Sequence, residues 1–182
     1  MIKGKLPLIG TSRLQLRALL RADADAAIEI LTDREVTRTY MVPDFASRVE
    51  AHKLFLRLLQ LSREEDRFVY GIYLEDTLIG LINEVDKSDT QIELGYVIHP
   101  RWKNRGFGTE ALTAAIQALF AMGYKTVLAG AFEENAESIR VMEKSGMTLT
   151  SREEDLEYRG KRHRCVYYAV TADAACGSSC FM

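Results

Sequence analysis

Cysteine is scarce in this sequence. The three present, Cys165, Cys176 and Cys180, share no metal-ligand spacing with the three histidines, and two of them sit in a stretch of small residues. Neither a disulfide framework nor a zinc site is expected, and no metal is. Charge of one sign is missing as well: 24 Lys and Arg against 26 Asp and Glu give a formal net charge of -2, with the two signs interleaved. Such a chain throws no long-range field that would gather nucleic acid or an anionic membrane, so neither is an expected partner and any basic site must be local. Long hydrophobic runs are also absent, because charges break every apolar stretch short of the roughly 18 residues a bilayer crossing needs. The opening Met1–Gly10 segment holds two lysines and lacks the apolar core and cleavage site of a signal peptide. The expectation is a cytoplasmic protein. Internal repeats and long low-complexity linkers are lacking too, apart from an Ala/Cys/Ser-rich end at residues 172–182, expected to be a disordered tail.

What remains is the composition of a globular protein, with 47% hydrophobic and 27% charged residues in 182. That is one domain's worth of chain, assigned to residues 1–171. Thr11–Ala18 alternates, with Leu14 and Leu16 on one face, and reads as a half-buried strand. Asp23 is placed to cap a helix carrying Ala24, Ala27, Ile28 and Leu31, and a second helix from about Ser47 to Leu61 follows the break at Pro43-Asp44. Arg67–Leu74, Leu78–Val85 and Gln91–Ile98 are β-branched and aromatic runs separated by short polar breaks, which favours antiparallel hairpins. The period then becomes helical from about Gly106 to Met122, ending at Gly123. Thr126–Phe132 reads as a strand, Asn135–Ser145 as a helix stopped by Gly146, and Met147–Ser151 and Arg164–Thr171 as strands, with the charged Arg152–Arg164 segment as a hairpin tip. The fold class expected is α/β, with a mixed, mostly antiparallel central sheet and about four flanking helices.

The turn that joins Gln91–Ile98 to the helix after Gly106 holds the most chemistry. It runs His99-Pro100-Arg101-Trp102-Lys103-Asn104-Arg105-Gly106-Phe107-Gly108-Thr109-Glu110. A helix start offers free backbone N–H groups and a partial positive charge, so this turn is suited to hold a diphosphate, with Lys103 and Arg105 adding charge and the glycines letting the backbone come close. The same pair of glycines would equally serve a tight turn with no ligand. The third glycine of a dinucleotide fingerprint and the Gly-Lys-Ser/Thr ending of a P-loop are both missing, which weakens mononucleotide and dinucleotide readings.

Lys103-Asn104-Arg105-Gly106-Phe107-Gly108 resembles the acyl-CoA motif of the GNAT N-acetyltransferase superfamily, in which Gln or Arg, two residues, Gly, one residue, and Gly or Ala wrap the coenzyme A pyrophosphate. Lys103 departs from the motif's first position. Around it, Glu93–Ile98 resembles the family's fourth strand, and Asn135-Ala136-Glu137-Ser138 with Glu143–Met147 resembles its next helix. Ser12–Arg17, Asp23-Ala24-Asp25 and Asp33–Thr37 are similar to the RimJ/RimL type of ribosomal-protein acetyltransferase, so the resemblance spans roughly residues 11–171.

The resemblance implies a GNAT fold whose sheet splays between its fourth and fifth strands. It also implies acetyl-CoA as co-substrate and direct transfer of the acetyl group to a primary amine in a ternary complex. Tyr96, Val97 and Ile98 would offer the strand edge to the pantetheine arm, Lys103 to Thr109 would hold the diphosphate (Lys103, Asn104, Arg105, Gly106, Phe107, Gly108 and Thr109), and Asn135 and Ser138 would contact the arm or its thiol. The catalytic candidates are Glu93 as general base, with Glu84 in reserve, Ser138 as proton donor to the thiolate, and Tyr168 in preference to Tyr167 as a second donor. Each has a plainer alternative: a solvated strand carboxylate, a helix cap, a packed aromatic. The acceptor expected first is a protein or peptide N-terminal amine. A small amine, polyamine or aminoglycoside, is the alternative and would call for a carboxylate-lined pocket, with Asp23, Asp25, Asp33, Glu35 and Asp44 as candidates. A non-catalytic acetyl-CoA-binding module is the third reading, and exposed strand edges make a homodimer conceivable.

Overall fold

The computed structural model describes residues 4–177. It opens with β1 (Leu8–Gly10) and β2 (Leu14–Arg17), then α1 (Ala24–Thr32) and α2 (Arg48–Leu61). Next come β3 (Val69–Leu74), β4 (Thr77–Lys87), β5 (Gln91–Ile98), α3 (Phe107–Met122), β6 (Thr126–Phe132) and α4 (Ala136–Lys144). The chain ends with β7 (Thr148–Tyr158), β8 (Lys161–Thr171) and the short α5 (Ala172–Gly177). All eight strands form one sheet in the order β1-β2-β3-β4-β5-β6-β8-β7. Every pairing is antiparallel except that of β5 with β6.

Local chemistry accounts for the helix ends. Ser47 accepts from the Glu50 N–H at the start of α2, while the Glu50 carboxylate returns to the Ala46 N–H, so two orphan donors are satisfied together. Asn135 does the same at α4 by accepting from the Ser138 N–H at 3.2 Å. The apolar stripe of α3 (Ala111, Leu112, Ala115, Ile116 and Leu119) is buried against the sheet, and its C-terminus is closed by the Gly123 N–H on the Leu119 and Phe120 carbonyls.

The sheet is covered on both faces. Leu16, Ile72, Ile82, Leu94 and Val127 pack with α3 and α4 on one side, whereas Tyr73, Leu81 and Val97 pack with α1 and α2 on the other. At about 1.5–3 kcal/mol for each large apolar side chain taken out of water, these two cores hold the strands rigidly enough to carry a gap between them. The gap lies between β5 and β6. They pair only from Gln91/Thr126 to Leu94/Ala129, yet β5 continues to Ile98 and β6 to Phe132. Each is held on its other side, β5 by β4 and β6 by β8, so their ends part into a cleft.

Three departures from the sequence reading are local. A three-residue strand, β1, precedes Thr11, too short to show alternation. The Arg152–Arg164 segment is not a tip: β7 and β8 run through it to Tyr158 and Lys161, and only Arg159-Gly160, both at positive φ, make the turn. Ion pairs Arg162–Asp155 and Arg164–Glu153 occupy this exposed rim, which hides its strand character from a search for apolar alternation. The expected tail begins with helix, Ala172–Gly177, whose first N–H bonds to the Lys125 carbonyl. Residues 178–182 of that tail lie outside the described residues.

Candidate active site

A cleft of about 560 Å³ runs through the split, from Tyr40 and Met41 at one end to Arg140 and Lys144 at the other. Its floor is the open edge of β5, where the backbone of Gly95, Tyr96, Val97 and Ile98 is bonded to β4 but not to β6. The side chains of Val97 and Ile98 are buried in opposite cores, so what these positions present is main chain.

One wall of the cleft is the turn before α3. Gly106 sits at φ 79°, where a side chain would be strained, and Asn104 shares that left-handed region at φ 59°. No backbone N–H from Asn104 to Thr109 donates outside its own helix, so this stretch keeps the donors that a diphosphate needs. Lys103, Asn104, Gly106, Gly108 and Thr109 line the cleft. Arg105 and Phe107 do not: Arg105 lies over the Trp102 ring, while Phe107 is buried under the Arg13 guanidinium. The turn is braced by Glu110, which receives the Thr11 hydroxyl at 2.5 Å and the Arg13 Nε at 2.6 Å. Partial burial opposes its charge, but the hydrogen bonds from Thr11 and Arg13 hold this carboxyl below the usual range. Lys103 reaches Glu35 at 2.7 Å and Glu137 at 3.0 Å, tying the segment after α1 to the first turn of α4 across the cleft. Burial works against this ammonium, yet its two carboxylate partners keep its pKa above the ordinary value.

The other side of the cleft holds Ser138. Its Oγ lies 2.8 Å from the Tyr96 hydroxyl, which also reaches the Ser138 carbonyl at 3.0 Å. Burial pushes Tyr96 up to about 12, so its proton stays in place near neutral pH. Asn135 caps α4 and lines the cleft as well.

Glu93 projects into the cleft from the same face of β5 as Val97, and its side chain is only 13% exposed. Its Oε2 accepts from Arg152 Nη1 at 2.9 Å. The reserve candidate Glu84 is on the opposite face, enclosed by Arg67, Lys87 and the Phe68 N–H, and does not reach the cleft. Tyr168 is also placed elsewhere. Its ring packs in the α3/α4 core and its hydroxyl meets Glu143 at 3.3 Å, whereas the neighbouring Tyr167 lines the cleft. Strand alternation puts the two tyrosines on opposite faces, and it is Tyr167, not the expected Tyr168, whose face meets the cleft.

The resemblance points to the loops near Met41–Phe45 and Arg152–Arg164 for the choice of acceptor, but not to the side chains that line the cleft there. Tyr40 and Met41, from the linker between α1 and α2, meet Asn83 and Val85 of β4, with the Tyr40 hydroxyl donating to Asn83 Oδ1 at 2.8 Å. Tyr158, at the β7–β8 turn, brings its hydroxyl 2.8 Å from the Thr37 carbonyl and so docks the hairpin on that linker. Arg159 pairs with Asp44 beside it. Gly130, Cys165 and Tyr167 complete this end. A glycine in the middle of an otherwise apolar strand was the one available signal, since it marks a place where another group comes close.

Residues 13–148 match the family model described as the acetyltransferase (GNAT) domain. The uncharacterized N-acetyltransferase YoaA of Bacillus subtilis (strain 168) is 32% identical over 146 residues, covering 77% of this chain and 82% of that protein. A GNAT-family acetyltransferase from Bacillus anthracis superposes with a TM-score of 0.78 at 23% identity, over 91% of this chain and 99% of that one. RimL, a ribosomal-protein alpha-N-acetyltransferase solved in complex with coenzyme A, gives a TM-score of 0.78 at 19% identity, over 92% and 99% of the two chains. Likeness at such identities speaks for the fold, and the family match speaks for the activity. This chain belongs to the GNAT acetyltransferase family and is an acetyl-CoA-dependent N-acetyltransferase.

Proposed function

We propose that the acceptor is the α-amine at a protein or peptide N-terminus, acetylated by direct transfer from acetyl-CoA in a ternary complex. One observation carries this reading: beside the α1–α2 linker the cleft is lined by Val36, Tyr40, Met41, Asn83 and Val85, and of the two carboxylates that line it among the described residues, Glu93 and Glu137, the latter is held by Lys103. The acids that would have made a polycation pocket each have partners within the chain. Asp23 holds the Leu20 N–H and the Tyr73 hydroxyl, Asp25 pairs with Arg48, Asp33 caps the next turn, Glu35 pairs with Lys103, and Asp44 pairs with Arg159. The Arg152 guanidinium beside Glu93 adds a second selection, because a fixed cation disfavours an incoming ammonium. An α-amine, with an ordinary pKa of about 7.7–8.0, supplies a neutral nitrogen near physiological pH far more readily than a lysine or polyamine at about 10.4. The N-terminal acetyltransferase RimL among the structural neighbours agrees with this preference.

Acetyl-CoA supplies an activated thioester carbon. The chain's own contribution is then positioning and proton management. The N–H groups from Asn104 to Thr109 and the β5 edge hold the co-substrate's diphosphate and arm, with a β5 N–H available to the thioester oxygen. Glu93 accepts the proton that the amine nitrogen loses as it bonds to the acetyl carbon, directly or through one water. As the carbon–sulfur bond breaks, the sulfur takes the Ser138 hydroxyl proton, Ser138 takes one in turn from the Tyr96 hydroxyl bonded to it, Tyr96 is reprotonated from solvent, and Glu93 releases the amine proton to solvent. Tyr168 takes no part in this scheme.

The test offers acetyl-CoA with peptides bearing free or blocked N-termini, a lysine-only peptide, spermidine and an aminoglycoside, following thiol release and the mass of each acceptor. Free N-termini should gain one acetyl group fastest. Faster turnover of spermidine would overturn the acceptor assignment, and binding without thiol release for any amine would favour a sensing module. Glu93→Gln should lower kcat by about 10²-fold or more with acetyl-CoA affinity unchanged.

A further inference from the structure

Arg152 occupies a place that the fold has to make for it. It belongs to β7, the rim of the sheet, while Glu93 belongs to β5, three strand spacings or roughly 14 Å inward along the sheet. Three local features close that distance. The β7–β8 register shifts between Leu149 and Glu153, a bulge that re-aims Arg152 over the sheet face. Tyr167 of β8 lies beneath the guanidinium, whose carbon is 3.8 Å from the ring centroid. Gly130 of β6 leaves room for that ring, since a Cβ there would stand 2.8 Å from the Tyr167 Cε1.

The hydrogen bonds divide the guanidinium between two carboxylates. Nε and Nη2 donate to Glu154 Oε1 at 3.0 and 2.8 Å, and Nη1 donates to Glu93 Oε2 at 2.9 Å. Glu154 is fixed in turn by the Tyr167 hydroxyl at 3.1 Å. Burial opposes the charge on Arg152, but the bonds to Glu154 and Glu93 raise its pKa above the ordinary arginine value. The bulge, the bare glycine and the stacked ring thus converge on one result, a guanidinium seated on a Glu93 side chain that is only 13% exposed.

We propose that Arg152 is a positioning residue for the transfer step: it takes one oxygen of Glu93, fixes the carboxylate plane, and leaves Oε1 aimed at the acceptor amine. This rests on Glu93 being the base, as argued above. It gives the β7 rim, distant from the co-substrate, a part in setting the rate, and it predicts that Arg152 acts through Glu93 and not through the co-substrate.

A double-mutant cycle on the full chain tests this, with kcat and KM for peptide and acetyl-CoA, calorimetric affinity for coenzyme A, and melting temperature as readouts. Arg152→Gln should lower kcat about tenfold with acetyl-CoA KM and coenzyme affinity unchanged, and should lower it no further in a Glu93→Gln background. Arg152→Lys, which keeps the charge but not the fork, should recover part of the loss. The same fractional loss in both backgrounds, an unchanged kcat, or an effect confined to acetyl-CoA KM would each overturn the proposal. Should Arg152→Gln fail to fold, Glu154→Gln decides: it frees the guanidinium without deleting it, and should cost a smaller factor in kcat that again vanishes in Glu93→Gln. Full activity in Glu93→Gln alone refutes the base assignment, whereas additivity in the cycle refutes only the role of Arg152.

Discussion

The two halves of the cleft are built on different principles. The half proposed to hold the co-substrate is main chain: a strand edge, a helix start and a capped helix, contributed by segments that follow one another between Gly95 and Ser138. The half proposed to take the acceptor is side chain: Tyr40, Val85, Glu93, Arg152 and Tyr167 are brought together from the linker after α1 and from four strands. The contrast suits the tasks. A constant phosphate-bearing ligand is held by groups that every sequence possesses, and a particular acceptor is chosen by groups that differ from chain to chain.

The difference can be broken from either side. Gly106→Val should have the largest effect, because a β-branched residue at φ 79° carries roughly 1–3 kcal/mol of strain and turns the donors away. Coenzyme A affinity by calorimetry should fall more than about tenfold, and the strain should also lower the melting temperature of the ligand-free protein by several degrees, roughly 2–4 °C per kcal/mol. Gly130→Val attacks the other half: its side chain must push Tyr167 aside and with it the Arg152 stack. Here kcat should drop about tenfold with coenzyme affinity preserved, and equal losses in both quantities would show that the two halves are not separable. The smallest effect is a gain. Glu137→Gln removes one of the two carboxylates holding Lys103, so coenzyme A should bind about two- to threefold tighter at low salt, a difference that shrinks as ionic strength rises. An unchanged affinity would mean that Lys103 does not meet the diphosphate.

The same division decides what could be read in advance. The β5 strand and the helix after Gly106 were legible because apolar periodicity and the Gly-x-Gly turn are local, and the boundaries of β5 and β6 agree with the sequence reading to the residue. Arg152 was not legible. Its significance depends on a bulge in β7 and on the bare Gly130, neither of which leaves a local pattern. Tyr168 was preferred to Tyr167 because alternation tells that two neighbours diverge and is silent on which faces the cleft. Glu84 is a related case, since its place opposite Leu94 turns it to the face away from Glu93, where Arg67, Lys87 and the Phe68 N–H enclose it. The charged rim of β7 and β8 made the middle of the hairpin read as its tip, because the cross-strand side chains there are ion pairs instead of apolar residues.

The parting of β5 from β6 has a further consequence for solubility. An uncompleted strand edge ordinarily invites another chain to add itself, and proteins blunt such edges where they face outward. Here the outer rims are β1, only three residues long, and β7, which is charged and bulged, while the long unpaired stretch from Gly95 to Ile98 faces inward across the cleft to β6. The fold thus stores its adhesive edge where a neighbouring sheet cannot dock and a slender, flexible molecule can.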